Sequence, residues 1–334
     1  MPGYKIMIQL IKQVDPPKAQ IVTIPEGYSG QRIDNFLITN LKGVPKTRIY
    51  RMIRKGEVRI NGGRAKPDSR IADGDNIRIP PVRMAASDTT GNFEFLEIEK
   101  SIIFENDRML IVDKPAGMAV HGGSGLSFGV IEALRAARPK LPFLELVHRL
   151  DRPTSGCLMV AKKRSFLKKI QLEMHNKSRL HKYYDVFVHG NWSANIKEVT
   201  APLKKNTLKS GERISRVAAD GKDCKTKFSL LSQGDGISWL RAQPVTGRTH
   251  QIRVHCAHKG YPVIGDSKYG DELRDKALQA PRMMLHACSL GLGTIAKPKA
   301  DDLENFWVES KLDAQMDRFA KRFFSGDRST LPIS

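Results

Sequence analysis

The stretch at residues 144 to 163, LELVHRLDRPTSGCLMVAKK, restricts the possible folds of this chain more than any other. Cys157 to Ala161 is apolar at every position, which suits a strand covered on both faces at the centre of a sheet. Leu146 to Leu150 reads as a second strand, with RPTSG as the turn between the two. Asp151 then falls at a strand end, flanked by Arg149 and Arg152. Loop positions held by rigid strands are where chemistry concentrates. Backbone capping is the competing task for an aspartate beside a turn.

A chain of 334 residues suits two domains, and an apolar content of 40% supports a real core. The net charge of +21 points to a polyanionic partner, either nucleic acid or an anionic membrane surface. No run of apolar residues is long enough to span a bilayer, and no long basic amphipathic helix stands out. The first twenty residues carry no small-residue cleavage site. Nucleic acid is therefore the expected partner, with no membrane. Cys157, Cys224, Cys256 and Cys288 form no C-x-x-C pair, as expected of reduced, buried thiols in a cytoplasmic chain.

The N-terminal part has its own pattern. SGQRIDNFLITNL reads as a helix through Ile33, Phe36, Leu37 and Leu41. KTRIYRMIRKGEVRING reads as a second, with Thr47 as its cap, an apolar stripe of Ile49, Met52 and Ile53, and Gly56 as its stop. Val58 to Ile60 forms a short strand into an Asn61-Gly62 turn, and NIRIP follows as another. Between Lys42 and Arg70 stand ten Lys or Arg residues against two acids. Arg48, Arg51 and Lys55 share one helix face, with Arg54 beside it, and phosphate contact is expected there. The pattern resembles the S4-type RNA-binding module. The expected division is an extension at 1–19, an S4-like domain at 20–82, a linker at 83–93, a catalytic domain at 94–315 and a loose tail at 316–334.

Within the larger part, KRSFLKKIQLEMHNK reads as a helix turning Phe166, Leu167, Ile170 and Met174 inward. HKYYDVFVHG reads as a strand with Tyr184 and Val186 on one face, opposite Tyr183, Asp185 and Phe187. GGSG at 122–125 lacks the G-K-[ST] of a phosphate loop and reads as a flexible loop. PVTGRTHQIRVH reads as a cationic strand or a helix start. His250, His255, His258 and Cys256 match no zinc spacing, so no metal is expected. Arg253 suits a bidentate pair with a carboxylate. If it meets Asp151 in a cleft, the pair keeps Asp151 ionised and ready to attack an electrophilic carbon. A sugar C1′ is one such carbon. The residues alone thus point to a cofactor-free enzyme acting on RNA.

HRLDRPTSG, HKYYDVFVHG, GRTHQIRVH and MLHA together resemble the RluA/RluC/RluD family of pseudouridine synthases, over about residues 25 to 290. APLKKNTLKSGERISRV resembles the branch that acts on large-subunit (23S) ribosomal RNA. The resemblance implies an α+β chain: an S4-like domain, then a catalytic domain whose mixed, largely antiparallel sheet is flanked by helices around a central cleft. It implies Asp151 as the catalytic aspartate, Arg253 as its partner and Tyr184 as the residue stacked on uracil. Arg149 is implied as the arginine that fills the space left by the flipped base. Val186 departs from the family's K-x-Y-x-A pattern, two residues beyond Tyr184. The implied partner is 23S ribosomal RNA or a large-subunit assembly intermediate, with no cofactor, and the chain is expected to be a monomer. Two rival readings stand beside it: a non-catalytic ribosome-assembly factor, and a metal-dependent nuclease, whose metals need converging carboxylates.

Overall fold

The computed structural model describes residues 18–41, 44–82, 98–122, 129–176, 180–207, 213–293 and 305–324. The extension before residue 18, the expected linker at 83–93 and most of the GGSG stretch lie outside them.

Near the N-terminus, β1 (Gln20–Thr23), β4 (Asn76–Ile79), β2 (Arg59–Ile60) and β3 (Gly63–Arg64) form a four-stranded antiparallel sheet in that order. Helices α1 (Ile33–Asn40) and α2 (Lys46–Arg54) pack on it. The expected stripe is buried: Ile33, Phe36 and Leu37 from α1 meet Ile49, Met52 and Ile53 from α2. Thr47 does not cap α2. Pro45 holds the cap position, two residues earlier than expected. Gly56 ends the helix at φ +71°, and Asn61 and Gly62, both at positive φ, close the tight turn.

The larger part is built on a sheet with the path β10-β13-β14-β9-β15-β8-β6-β5. Its strands are β5 (Ile102–Glu105), β6 (Met109–Lys114), β8 (Ser155–Ala161), β9 (Leu180–His189), β10 (Glu198–Thr200), β13 (Lys225–Gly234), β14 (Ile237–Pro244) and β15 (Leu285–Leu292). Two short strands hang off the path: β7 (Glu145–Leu146) pairs with β8, and β16 (Phe306–Glu309) with β15. All pairs are antiparallel except β8 with β15, which run parallel at Ser155–His286 and Gly156–Ala287. Gly156 sits at φ +103°, and a Cβ there would collide with the Ala287 backbone. A small hairpin, β11 (Leu203–Thr207) with β12 (Arg213–Val217), stands beside the sheet.

β8 is buried at all seven positions, as its unbroken apolar run requires. On one face Leu158, Val160, Tyr184 and Val186 meet Val130, Ile131 and Leu134 of α3 (Val130–Ala137), and Ile252 and Cys256 of α5 (Gln251–His258). On the other, Met159 and Cys157 pack with Phe166 and Ile170 of α4 (Arg164–Asn176). Further along this second face Phe187 and Trp239 meet Phe319 of α7 (Ala314–Phe323). A short helix α6 (Glu272–Leu278) lies between α5 and β15 in sequence. The mixed, largely antiparallel sheet with helices on its faces is the architecture expected.

Two expectations change, and one left open is decided. The strand read at Leu146 to Leu150 is only Glu145–Leu146, because the chain must bend away before Asp151. PVTGRTHQIRVH opens helix α5, whose residues 251 to 256 are all buried. The boundary expected at 315 falls inside α7, where Met316, Phe319, Ala320 and Phe324 are core residues and no loose tail begins. All four cysteines are buried and unpaired. No helix among the described residues is long and apolar enough to cross a membrane.

Candidate active site

Asp151 lies in the loop entering β8. Its carbonyl accepts from Thr154 N at 3.0 Å, which closes the turn. Arg152, given no task by its sequence, bonds the Gly117 carbonyl at 2.8 Å, and Gly117 N returns a bond to the Arg152 carbonyl at 2.8 Å. Beneath them Lys114 has no exposure at all, and its Nζ donates to the carbonyls of Pro115, Met118 and Arg152. Burial pushes the Lys114 pKa down to about 7, with the Arg282 charge adding. Three carbonyl acceptors match the three hydrogens of the ammonium form. The loop carrying Asp151 is therefore fixed from below by a buried lysine.

Arg253 enters from α5. The helix start is locked by Gln251, whose Oε1 accepts from Thr246 Oγ1 and Arg248 N while its Nε2 donates to the Lys225 carbonyl and Thr226 Oγ1. Arg253 Nη1 donates to Asp151 Oδ2 at 2.9 Å. The bidentate grip expected of Arg253 goes to a different carboxylate. Its Nε and Nη2 donate to the two oxygens of Asp266 at 2.7 and 2.6 Å. Asp266 also accepts from the backbone N–H of Lys268 and Tyr269. Burial works against the Arg253 charge, but Asp266 and Asp151 outweigh it and raise its pKa. Asp266 holds the guanidinium flat, and one remaining edge faces Asp151.

Asp151 and Arg253 line a cavity of about 330 Å³ together with Arg149, Tyr184, His148 and Lys182. Tyr184 reaches it from β9 and is nearly buried. Burial raises its pKa, and the Asp151 charge adds to the rise, so its ring enters as a neutral phenol. Arg149 is exposed at the rim. Asp151, Arg253, Tyr184 and Arg149, singled out separately in the sequence, thus share one cleft. His148 is buried, accepts from Met159 N, and is held neutral with its pKa pushed down to about 3. Burial also pushes the Lys182 ammonium down.

Asp266, Lys114 and Tyr269 were missed by sequence reading. A signal existed for the first: a buried arginine must spend five donors, more than one half-exposed carboxylate takes up. Among the described residues no three His, Cys, Asp or Glu side chains converge as metal ligands do.

Arg48, Arg51, Arg54 and Lys55 all lie on α2 or its C-cap, away from the cavity. Arg51, Arg54 and Lys55 are exposed and Arg48 is half-buried. Nearby, Arg59 stands directly across from Arg64 on β3 and Arg78 on β4, all three exposed. Like charges facing each other across strands destabilise a bare sheet, and a phosphate backbone would relieve them.

Residues 108–258 match the model of the family described as RNA pseudouridylate synthase, and residues 31–77 match the S4 domain. The ribosomal large subunit pseudouridine synthase C of Yersinia pestis is 48% identical over 307 residues, covering 90% of this chain and 94% of that protein. This chain belongs to the RNA pseudouridylate synthase family. The protein of the same name from Escherichia coli (strain K12) is 49% identical over 287 residues, covering 83% of this chain and 90% of its own. The solved structure titled human RNA pseudouridylate synthase domain containing 4 shares the fold, with a TM-score of 0.56 at 22% identity over 70% of this chain and 96% of its own.

Proposed function

We propose that this chain isomerises particular uridines to pseudouridine in large-subunit (23S) ribosomal RNA, as the names of its relatives suggest. The observation that carries this reading is the Asp151–Arg253 contact of 2.9 Å inside a cavity that also holds Tyr184. The C1′–N1 bond of uridine breaks, the uracil turns within the cleft, and C1′ rejoins it through C5. C5 releases a proton and N1 ends with one, so atoms and electrons balance without a redox partner.

In this reading Asp151 reacts and Arg253 keeps it ionised and aimed. Tyr184 stacks on the uracil, and Arg149 fills the space the base leaves. Extruding the base costs a few kcal/mol, which contacts inside the cleft offset. Residues 20–82 form the S4-like domain, and Arg48, Arg51, Arg54 and Lys55 hold phosphates. The catalytic domain runs from 94 through α7. The enzyme works in the cytoplasm as a monomer, without metal or cofactor.

Carbodiimide mapping of unmodified ribosomal RNA tests this reading. Asp151→Ala is expected to abolish pseudouridine formation while keeping RNA affinity. Turnover at the wild-type rate in that variant overturns the assignment. Activity retained in excess EDTA with RNA length unchanged separates this chemistry from a metal-dependent nuclease.

A further inference from the structure

His250 occupies an unusual position beside Asp151. It is the N-cap of α5 and sits in the left-handed region at φ 55°, ψ 24°, where few residues other than glycine settle. That conformation turns its ring into the cavity it shares with Asp151 and Tyr184. Its Nδ1 lies 2.8 Å from the Tyr269 hydroxyl, and that hydroxyl already accepts from Ser215 N at 2.8 Å. Burial raises the Tyr269 pKa, so the hydroxyl keeps its hydrogen. A hydroxyl that accepts from a backbone N–H still has its one hydrogen to give, and Nδ1 lies within its reach. With Nδ1 accepting that hydrogen, the ring proton of neutral His250 sits on Nε2. Burial, with the charges of Arg253 and Lys268, outweighs Asp151 and Asp266 and keeps the imidazole neutral.

Nε2 faces Asp151 Oδ1 at 3.8 Å, too far for a hydrogen bond of its own. Oδ2 of the same carboxylate is taken by Arg253. The cleft thus presents a fixed N–H donor and a carboxylate acceptor side by side, separated by a gap. A group that both accepts and donates through one oxygen fits such a gap, and a hydroxyl does so. On a nucleotide whose C1′ is brought to Asp151, the hydroxyl one carbon away is the ribose 2′-OH. That hydroxyl is what distinguishes RNA from DNA at a single site.

Resting on the reading of this cavity as a uridine site, we propose that His250 Nε2 and Asp151 Oδ1 together form a subsite for the 2′-hydroxyl of the target ribose. His250 is then a specificity-determining residue: it donates to the 2′-oxygen, while Asp151 accepts the hydroxyl hydrogen. Tyr269 is a positioning residue that holds the required tautomer.

The test is equilibrium affinity, by fluorescence anisotropy, of the full chain for two product hairpins. One carries pseudouridine at the target position and the other 2′-deoxypseudouridine; neither turns over. The wild type is expected to prefer the ribose form by about tenfold or more. His250→Ala is expected to shrink that preference by about threefold to tenfold, the share of one neutral hydrogen bond. His250→Gln, which keeps an N–H donor, should restore most of it, and Tyr269→Phe should fall between. An unchanged ratio in folded His250→Ala, or no ribose preference in the wild type, overturns the proposal. If His250→Ala does not fold, a wild-type ratio in Tyr269→Phe overturns it instead. Conversion of the uridine hairpin by the wild type is measured separately: its absence sinks the functional reading, while the affinity ratios remain readable.

Discussion

Replacing Asp266 with Asn separates the two carboxylates that share Arg253. Asp266 has no side-chain exposure and Arg253 only 2%, so the substitution leaves a buried guanidinium with one partner, Asp151, itself 27% exposed. Breaking a buried pair from one side costs about 3–5 kcal/mol. Asn keeps one accepting oxygen in the same shape, which favours the lower end, near ~3 kcal/mol. In a domain of this size that lowers the melting temperature by about 6–12 °C. Arg253 also loses one of the two bonds that orient its plane, so Nη1 no longer meets Asp151 Oδ2 at a fixed angle. A misplacement of about 1 Å at a reacting group costs roughly a hundredfold in rate. Asp151→Asn is the contrast: it removes one bond from a partly exposed group, and costs about 1 kcal/mol or less in stability, yet ends the reaction. Thermal melts and single-turnover conversion of an RNA hairpin measure both quantities. The reasoning is refuted if Asp266→Asn melts within about 2 °C of wild type with its rate intact, the range left when a lost pair is worth under ~1 kcal/mol. It is equally refuted if Asp151→Asn is the more destabilising of the two.

Replacing Arg48, Arg51 and Lys55 together with Ala should weaken RNA binding and flatten the slope of log affinity against log salt by about 2, since each phosphate contact contributes somewhat under one unit; an unchanged slope removes that helix face from the interface. His148 stays neutral in the fold, with its pKa pushed from 6.5 to about 3. The unfolded chain takes up that proton first as pH falls, so the contribution is full above 6.5 and is lost progressively towards pH 3. Urea melts should show the wild type losing about 2 kcal/mol more than His148→Gln between pH 7 and pH 5. Gly156→Ala forces a Cβ against the Ala287 backbone where β8 and β15 run parallel. It should cost about 4 kcal/mol or more, giving a chain that is insoluble or melts far below wild type.

Asp151 and Arg253 were legible because they break local rules. An aspartate stands between two apolar runs, and an arginine sits among apolar neighbours. The second carboxylate was not legible, because nothing in VIGDSKYG says that its aspartate points inward. Only the close approach of the 262–270 loop to α5 makes it a partner. α5 was ambiguous for a related reason. Ile252, Val254 and Cys256 alternate as in a strand, and a helix buried on every side has no polar face to reveal a 3.6-residue period. The boundary at 315 cut α7 because RFAKRFF, though it reads as a helical start, carries no sign of what it packs against. Phe319 and the C-cap Phe324 find Phe187 on β9 and Trp239 on β14, far back in the chain, a pairing that sequence spacing does not encode.

α7 does more than cover the sheet. Its N-cap, Asp313, contacts Arg282, and it accepts from Ser155 Oγ at the foot of the strand that follows Asp151. Ser155 Oγ also meets His286 Nδ1 at 2.9 Å on β15. The support beneath the reactive loop is thus supplied by one of the last described segments to be synthesised. A nascent chain that has emerged only as far as residue 300 carries Asp151, Arg253, Asp266 and Tyr184 but lacks the cap and helix that fasten β8 to β15. Support for the loop in this protein arrives late in translation, after Asp151, Arg253, Asp266 and Tyr184 have already left the ribosome.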